Sequence, residues 1–232
     1  MKHWVIQLIC AATVMVASGG ASAQATTYTA NVTSPYGSFS NFTPPCALGP
    51  CQNYAAATTP SGSFTTSAPL PANMAGSNIA GSLVSYSFSD GINTYSSADS
   101  DVRLHTMTVA TDGTGAIVSS LVLVEKWLTG TAPHAAGNRF SFVQLNTSTI
   151  SGTHNTVCTT LGVSPAGVAD SCMAESPDAS RSRGTNAFFT WSSISIAPAN
   201  PASIPTTSEW GLVGMALLLC LAGCTAVRRR RH

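Results

Sequence analysis

The chain has 232 residues, of which 44% are hydrophobic and only 8% are charged, and its formal net charge is +1. Half of its ten basic residues lie near the two ends, so that residues 24–203 contain five basic and eight acidic residues, a net charge of −3. This central region has no basic patch for nucleic acid, and its length suits one domain with a substantial core. We therefore expect no nucleic-acid partner.

The first 23 residues have the pattern of a secretory signal peptide. Residues 1–3 are positively charged, residues 4–17 are mostly apolar, and Ala21 and Ala23 are the small residues of a cleavage site. We predict that the protein is exported and that residues 1–23 are removed, which leaves Gln24 as the first residue of the mature chain.

The central region alternates apolar and polar residues with the period of two that is typical of β-strands. The pattern is clearest at residues 83–89, where Val84, Tyr86 and Phe88 alternate with serines. Asp90-Gly91 follows and predicts a tight hairpin turn, with both residues at positive φ, before residues 92–95 return as a strand. The other predicted strands are 27–32, 61–66, 102–110, 116–127, 140–145 and 187–196. Loops are predicted over 34–60 and 68–81, over the polar stretch after residue 145, between Cys158 and Cys172, and over 176–184.

These elements predict an all-β fold over residues 24–196, arranged as an antiparallel β-sandwich or jelly roll. A parallel sheet would need helical crossovers, and no amphipathic helix is predicted before Trp210. The strand at 116–127 has apolar residues on both faces, with Val122 and Val124 on one side and Leu123 and Trp127 on the other. We expect it to be a central strand covered on each side, or part of an interface.

Four cysteines remain in the exported region: Cys46, Cys51, Cys158 and Cys172. An even number of cysteines in an exported protein indicates disulfides, and the local pairs Cys46–Cys51 and Cys158–Cys172 are favoured among the three possible connectivities. Zinc is a weaker alternative, because neither pair has the spacing of a zinc knuckle.

Few residues of this region could carry chemistry. No nucleophile motif accompanies the scattered histidines His105, His134 and His154, and so we expect neither an enzyme nor a cofactor. Asp90, Asp99 and Asp101 are weak candidates for calcium ligands, since carboxylates clustered near turns suit this ion. Asp90 also has a simpler explanation, because an Asp before a Gly caps a turn.

The C-terminal segment begins with a short extended linker at residues 197–203 and continues with an apolar run at residues 211–227. As a helix, this run would span roughly 26 Å, which is short for a membrane core but within the lower limit for a spanning segment. Trp210 suits the interface on one side, and the arginines on the other side predict a cytoplasmic C-terminus. These arginines are Arg228, Arg229, Arg230 and Arg231.

The same segment resembles a known family of sorting signals. Ile204-Pro205-Thr206, followed by Glu209-Trp210-Gly211, an apolar run and an arginine-rich end, is similar to the IPTL-CTERM signal, although Thr207 stands where that family has Leu. IPTL-CTERM is a relative of the PEP-CTERM signals, which exosortase-type membrane proteases of Gram-negative bacteria recognise. The resemblance implies that residues 204–232 form a temporary inner-membrane anchor and that an exosortase-like sorting protease is a partner.

We therefore expect an exported protein of the cell surface or extracellular matrix, with a structural or interaction role. The alternative is a secreted carbohydrate-binding or hydrolytic domain with a surface polysaccharide as its partner. Exposed aromatic residues on one sheet face would favour the alternative, and Trp127, Tyr86 and Trp191 are the candidates, although core packing explains them more simply.

Overall fold

The computed structural model describes residues 24–195. This part of the chain contains twelve β-strands and one short 3-10 helix at Ala80–Ser82, and it has no α-helix. Within the same residues no helix is both long enough and apolar enough to cross a membrane. The predicted signal peptide, the linker and the sorting segment with its apolar run at 211–227 lie outside the described residues.

All twelve strands belong to one antiparallel sheet. Its order is β4-β7-β8-β9-β10-β12-β1-β3-β5-β6, with β11 beside β10 and β2 beside β12. The strands are β1 Thr26–Val32, β2 Ser38–Ser40, β3 Ser61–Thr66, β4 Ser77–Asn78, β5 Leu83–Ser89, β6 Thr94–Ser96, β7 Val102–Thr111, β8 Ile117–Trp127, β9 Arg139–Asn146, β10 Thr149–Gly162, β11 Ser171–Ser176 and β12 Ser182–Ser195.

The two halves of this sheet share one hydrophobic core. Phe64 and Phe88 come from β3 and β5, while Met107, Val122 and Leu145 come from β7, β8 and β9, and all five are buried in the same cluster. The predicted all-β, antiparallel class is confirmed. The predicted sandwich of separate sheets is not, because hydrogen-bonded pairing runs without a break from β4 to β6.

Strand β12 joins the two halves. Its first half pairs with β10 and its second half pairs with β1. A β-bulge lies within the first half at Asn186, which has a φ of 62°. Ser182 and Gly184 are buried before the bulge, whereas Ala187 and Phe189 are buried after it, so the bulge moves the alternation by one residue and keeps the same face of the strand inward. One continuous strand can therefore contribute buried residues to both halves.

The predicted hairpin through Asp90-Gly91 is present, and the predicted strands at 102–110 and 116–127 form a second hairpin. Strands β5 and β6 are joined by residues 90–93, where Gly91 has a φ of 85°. The prediction of a positive φ at Asp90 is wrong. Asp90 instead caps the turn, because its Oδ1 accepts hydrogen bonds from the amides of Ile92 and Asn93. Asp112 has the same role in the β7–β8 hairpin, where its Oδ1 accepts a hydrogen bond from the amide of Thr114.

The loops predicted after residue 145 and over 176–184 are wrong in part. Strand β10 covers 14 residues, the short strand β11 follows it, and β12 already begins at Ser182. Strand β10 lacks an apolar alternation because its buried residues are largely polar, including Thr153, His154 and Asn155. Neighbouring strands and loops provide the burial and the hydrogen bonds that hold β10 in place.

Strand β8 is covered on both faces toward its C-terminal end, in part as its apolar pattern predicts, whereas Val118 and Leu121 are exposed. Val122 and Val124 belong to the main core. Trp127, on the opposite face, belongs to a second cluster with Phe140 and the Cys158–Cys172 pair, which comes from the β10–β11 hairpin. Both predicted disulfides are present: Cys46–Cys51 and Cys158–Cys172.

Candidate functional site

The outer face of β8 and β9 carries apolar, polar and ionisable side chains. Val122 and Val124 of β8 and Val143 of β9 point into the core. Since side chains alternate along a strand, Glu125 and Phe142 point to the opposite face. Strands β7 and β11 border this face and enclose a cleft of about 230 Å³, which we call the Glu125 cleft. Its lining consists of His105, Leu123, Glu125, Phe140, Phe142, Gln144 and residues 172–175.

A second cleft, the Arg183 cleft, lies beside it and has a volume of about 410 Å³. Gln144 lines both clefts. The second cleft is almost entirely polar, with Asn146, Ser151 and Arg183 among its lining residues. The two clefts place apolar and polar groups next to one another on one face of the sheet.

The Glu125 carboxyl group forms part of the first cleft, although the residue is only 2% exposed. Its Oε2 accepts a hydrogen bond of 2.9 Å from the amide of Cys172, and its Oε1 lies 4.0 Å from Nε2 of His105. Burial raises the pKa of Glu125 to about 8, against the opposing effects of the Cys172 amide and the Arg103 charge. Burial also lowers the pKa of His105. At neutral pH this is therefore a neutral pair rather than an ion pair, and the carboxylic acid can donate a hydrogen bond.

The free energy of unfolding of the Glu125→Gln variant, taken relative to that of the wild type, should be higher at pH 8 than at pH 5. The folded state keeps a proton on Glu125 up to about pH 8, whereas the unfolded state loses it near the ordinary value of 4.5. Stability is therefore lost as the pH rises through this window, by on the order of 1.4 kcal/mol per pH unit. Urea unfolding of both proteins at pH 5 and pH 8 measures the difference.

Glu175→Gln is the matched control, because Glu175 lines the same cleft but is exposed. Its effect on the free energy of unfolding should change little between the two pH values. An equal effect of Glu125→Gln at both pH values would contradict a raised pKa.

A buried polar cluster surrounds Asp90, which is fully buried. Tyr95 and Tyr54 donate hydrogen bonds of 2.7 and 2.9 Å to its Oδ2, while Tyr36 donates to its backbone carbonyl. Burial, together with the charge of Asp90, raises the pKa of all three tyrosines, which therefore stay protonated donors. The carboxylate is used inside the domain and does not face solvent as a calcium ligand.

The other two calcium candidates lie in a different setting. Oδ2 of Asp99 forms an ion pair of 2.7 Å with Lys126, and its Oδ1 accepts a hydrogen bond from the amide of Asp101. The Lys126 hydrogen bond is the largest of the effects that lower the pKa of Asp99. Across residues 24–195, no three His, Cys, Asp or Glu side chains are grouped so that they could hold a metal ion.

The histidines fix loops to the sheet. The Nε2 atom of the buried His154 donates to the carbonyl of Pro50, and its Nδ1 then accepts from Asn93 and Ser141. Desolvation lowers the pKa of His154, which favours this neutral form. His134 stacks on Trp127 at a centroid distance of 4.3 Å. Neither imidazole is open to a substrate.

The aromatic residues considered for carbohydrate binding pack against the protein. Trp127 is only 3% exposed, and its Nε1 donates to the carbonyl of Asp170. Trp191 is partly buried against the core and donates to Oγ of Ser120. Tyr86 is also partly buried against the core. Two aromatic residues line the Glu125 cleft, Phe140 and Phe142. The sequence did not single out Phe142, although the alternation at 140–145 separates it from Val143.

Comparison with known proteins adds information about the C-terminus. Residues 202–231 match the family model of the IPTL-CTERM motif. Neither the curated proteins nor the solved structures compared with the chain give a match. The matched range contains the Ile204-Pro205-Thr206 motif and the four arginines on which the resemblance was based. The chain thus carries an IPTL-CTERM motif, a C-terminal sorting signal that directs an exported, surface-associated protein toward the cell envelope.

Proposed function

We propose that this protein is a non-catalytic structural or interaction module of the cell surface or extracellular matrix of a Gram-negative bacterium. The match of residues 202–231 to a sorting signal is the observation that carries the proposal. It is consistent with processing by an exosortase-like enzyme. In this proposal residues 1–23 direct export, and the C-terminal segment holds the protein at the inner membrane until it is cleaved.

The chemistry of the domain supports export. Disulfides persist in oxidising compartments, and this domain contains two of them. The Cys46–Cys51 pair closes a short surface loop, whereas the Cys158–Cys172 pair is buried in the second cluster. A reducing cytoplasm would work against both, so the disulfides and the sorting signal favour the same side of the membrane.

The orientation of the proposed anchor is inferred from the charge and hydropathy of residues 210–231. Trp210 lies at the outer interface, residues 211–227 span the membrane, and the four arginines lie in the cytoplasm. This orientation keeps the β domain outside the cytoplasm and presents the Ile204-Pro205-Thr206 motif on the same side.

The mature protein from the native host should lack residues 1–23 and residues 211–232. Intact-mass measurement of the purified envelope protein tests this expectation directly. In a strain without the exosortase-like enzyme, the C-terminal residues should be retained. A mature species from the parent strain that still carries Arg228–Arg231 would contradict the proposed processing.

Replacing all four arginines by serine tests their role in the proposed membrane topology. This variant keeps the apolar run and the Ile204-Pro205-Thr206 motif but loses the positive flank that orients the segment. Its retention in the inner-membrane fraction should be weaker. Unchanged fractionation would show that the arginines do not set the orientation.

A second candidate function is carbohydrate binding without hydrolysis. The two adjoining clefts favour it, because they combine an aromatic ring with uncharged hydrogen-bonding side chains on one face. This candidate is compatible with the first, since an interaction module of the envelope can have a polysaccharide as its partner.

A further inference from the structure

The Glu125 cleft and the Arg183 cleft together form an elongated groove across the strands. Gln144 lines both clefts. The register places Leu123 of β8, Gln144 of β9 and Ser151 of β10 side by side. The groove continues to Arg183 on β12, which pairs with β10. Crossing from β8 to β12 takes three strand spacings, roughly 14 Å, which suits a segment of a polymer better than a single small ring.

The side chains along this groove offer both apolar contact and hydrogen-bonding groups. Phe142 is only partly buried, so part of its ring remains available at the cleft. Gln144, Ser151 and Arg183 contribute an amide, a hydroxyl and a guanidinium group to the lining. A sugar ring has an apolar face and a rim of hydroxyl groups, and aromatic rings beside amides and hydroxyls match both features.

The charges along the groove do not favour an ionic ligand. Glu175 of the first cleft and Arg183 of the second have opposite signs and lie in different clefts. The buried Glu125 is in its neutral form at neutral pH, because burial raises its pKa to about 8. A strongly acidic or basic polymer would therefore find no excess of the opposite charge.

We propose that this groove binds a segment of an uncharged polysaccharide, with Phe142 against a sugar ring and Gln144 hydrogen-bonded to sugar hydroxyls. The inference rests on the proposed envelope role and deepens it by naming the class of partner. The buried Glu125 lies at the end of the groove near β7 and adds no charge to it.

Affinity electrophoresis of the processed protein tests this inference. The gels contain dextran, hydroxyethyl cellulose or galactomannan as neutral probes, or alginate as an acidic probe. We expect at least one neutral polysaccharide to retard the protein and alginate to leave its mobility unchanged. The Gln144→Ala variant should bind the retarding polysaccharide ~10-fold more weakly, because it loses its hydrogen bonds to the ligand.

Gln52→Ala is the matched control, since Gln52 is an exposed glutamine next to the Cys46–Cys51 loop and does not line either cleft. It should bind as the wild type does, and thermal unfolding of both variants verifies that they are folded. Retardation by none of the neutral polysaccharides, retardation by alginate alone, or equal binding by Gln144→Ala and Gln52→Ala would overturn the inference. Intact mass and fractionation of the same preparation report separately on the envelope role.

Discussion

Replacing Asp90 by alanine should lower the free energy of unfolding by about 3–5 kcal/mol. The substitution removes the acceptor for the hydroxyls of Tyr54 and Tyr95, and Tyr95 is fully buried. These hydroxyls would remain inside the domain without a partner. The turn between β5 and β6 would also lose its cap. Urea unfolding of the purified variant measures the loss.

Asp112→Ala is the matched control, because Asp112 makes the same kind of turn-capping hydrogen bonds in the β7–β8 hairpin. Asp112 is only partly buried and receives no tyrosine hydroxyl, so its replacement should cost much less than that of Asp90. Equal losses for the two variants would show that turn capping, rather than the buried cluster, gives Asp90 its importance.

Replacing both Cys158 and Cys172 by alanine should cost about 3 kcal/mol in the free energy of unfolding. The disulfide links residues separated by 14 positions and therefore restricts the unfolded chain. Its sulfur atoms also pack with Trp127 and Phe140 in the second cluster, and the smaller alanines would leave space there. This value is measured by comparing the unfolding of the variant with that of the wild type, both without reducing agent.

The same double replacement at Cys46 and Cys51 is the control. This disulfide links residues separated by only 5 positions and lies largely at the surface, so the loss should be about 2 kcal/mol. In the presence of a reductant that opens both disulfides, the wild type should be less stable than either variant is without reductant. A larger loss for the Cys46–Cys51 pair would contradict the assignment of the main stabilising role to Cys158–Cys172.

The sequence was most informative where one face of a strand is buried and the other is open. Residues 61–66 and 83–89 have the predicted bounds, because Phe64, Tyr86 and Phe88 alternate with small hydroxyl residues. The disulfide pairs were also predictable, since each closes a local segment. Strand β10 was missed because its buried side chains are polar and receive their partners from distant loops, as His154 does from Pro50.

The candidate site could be predicted only in part for the same reason. The alternation of β8 placed Glu125 beside Trp127 on one face, but its burial depends on the hydrogen bond from Cys172. That contact exists only because residues 171–176 form strand β11, which was not among the predicted strands. The groove around Gln144 likewise depends on which strands are neighbours. Periodicity within one strand does not contain this information.

The double pairing of β12 determines how the domain responds to a pull on its C-terminal end. Within residues 24–195, β12 is the last strand, and the chain continues from Ser195 toward the sorting signal. A pull applied there before the proposed cleavage would load β12 first. The interstrand hydrogen bonds of an antiparallel pair lie perpendicular to the strand, so a force along β12 is shared in shear instead of breaking them one after another. Because β12 pairs with both β10 and β1, strands of both halves of the sheet hold it against such a force.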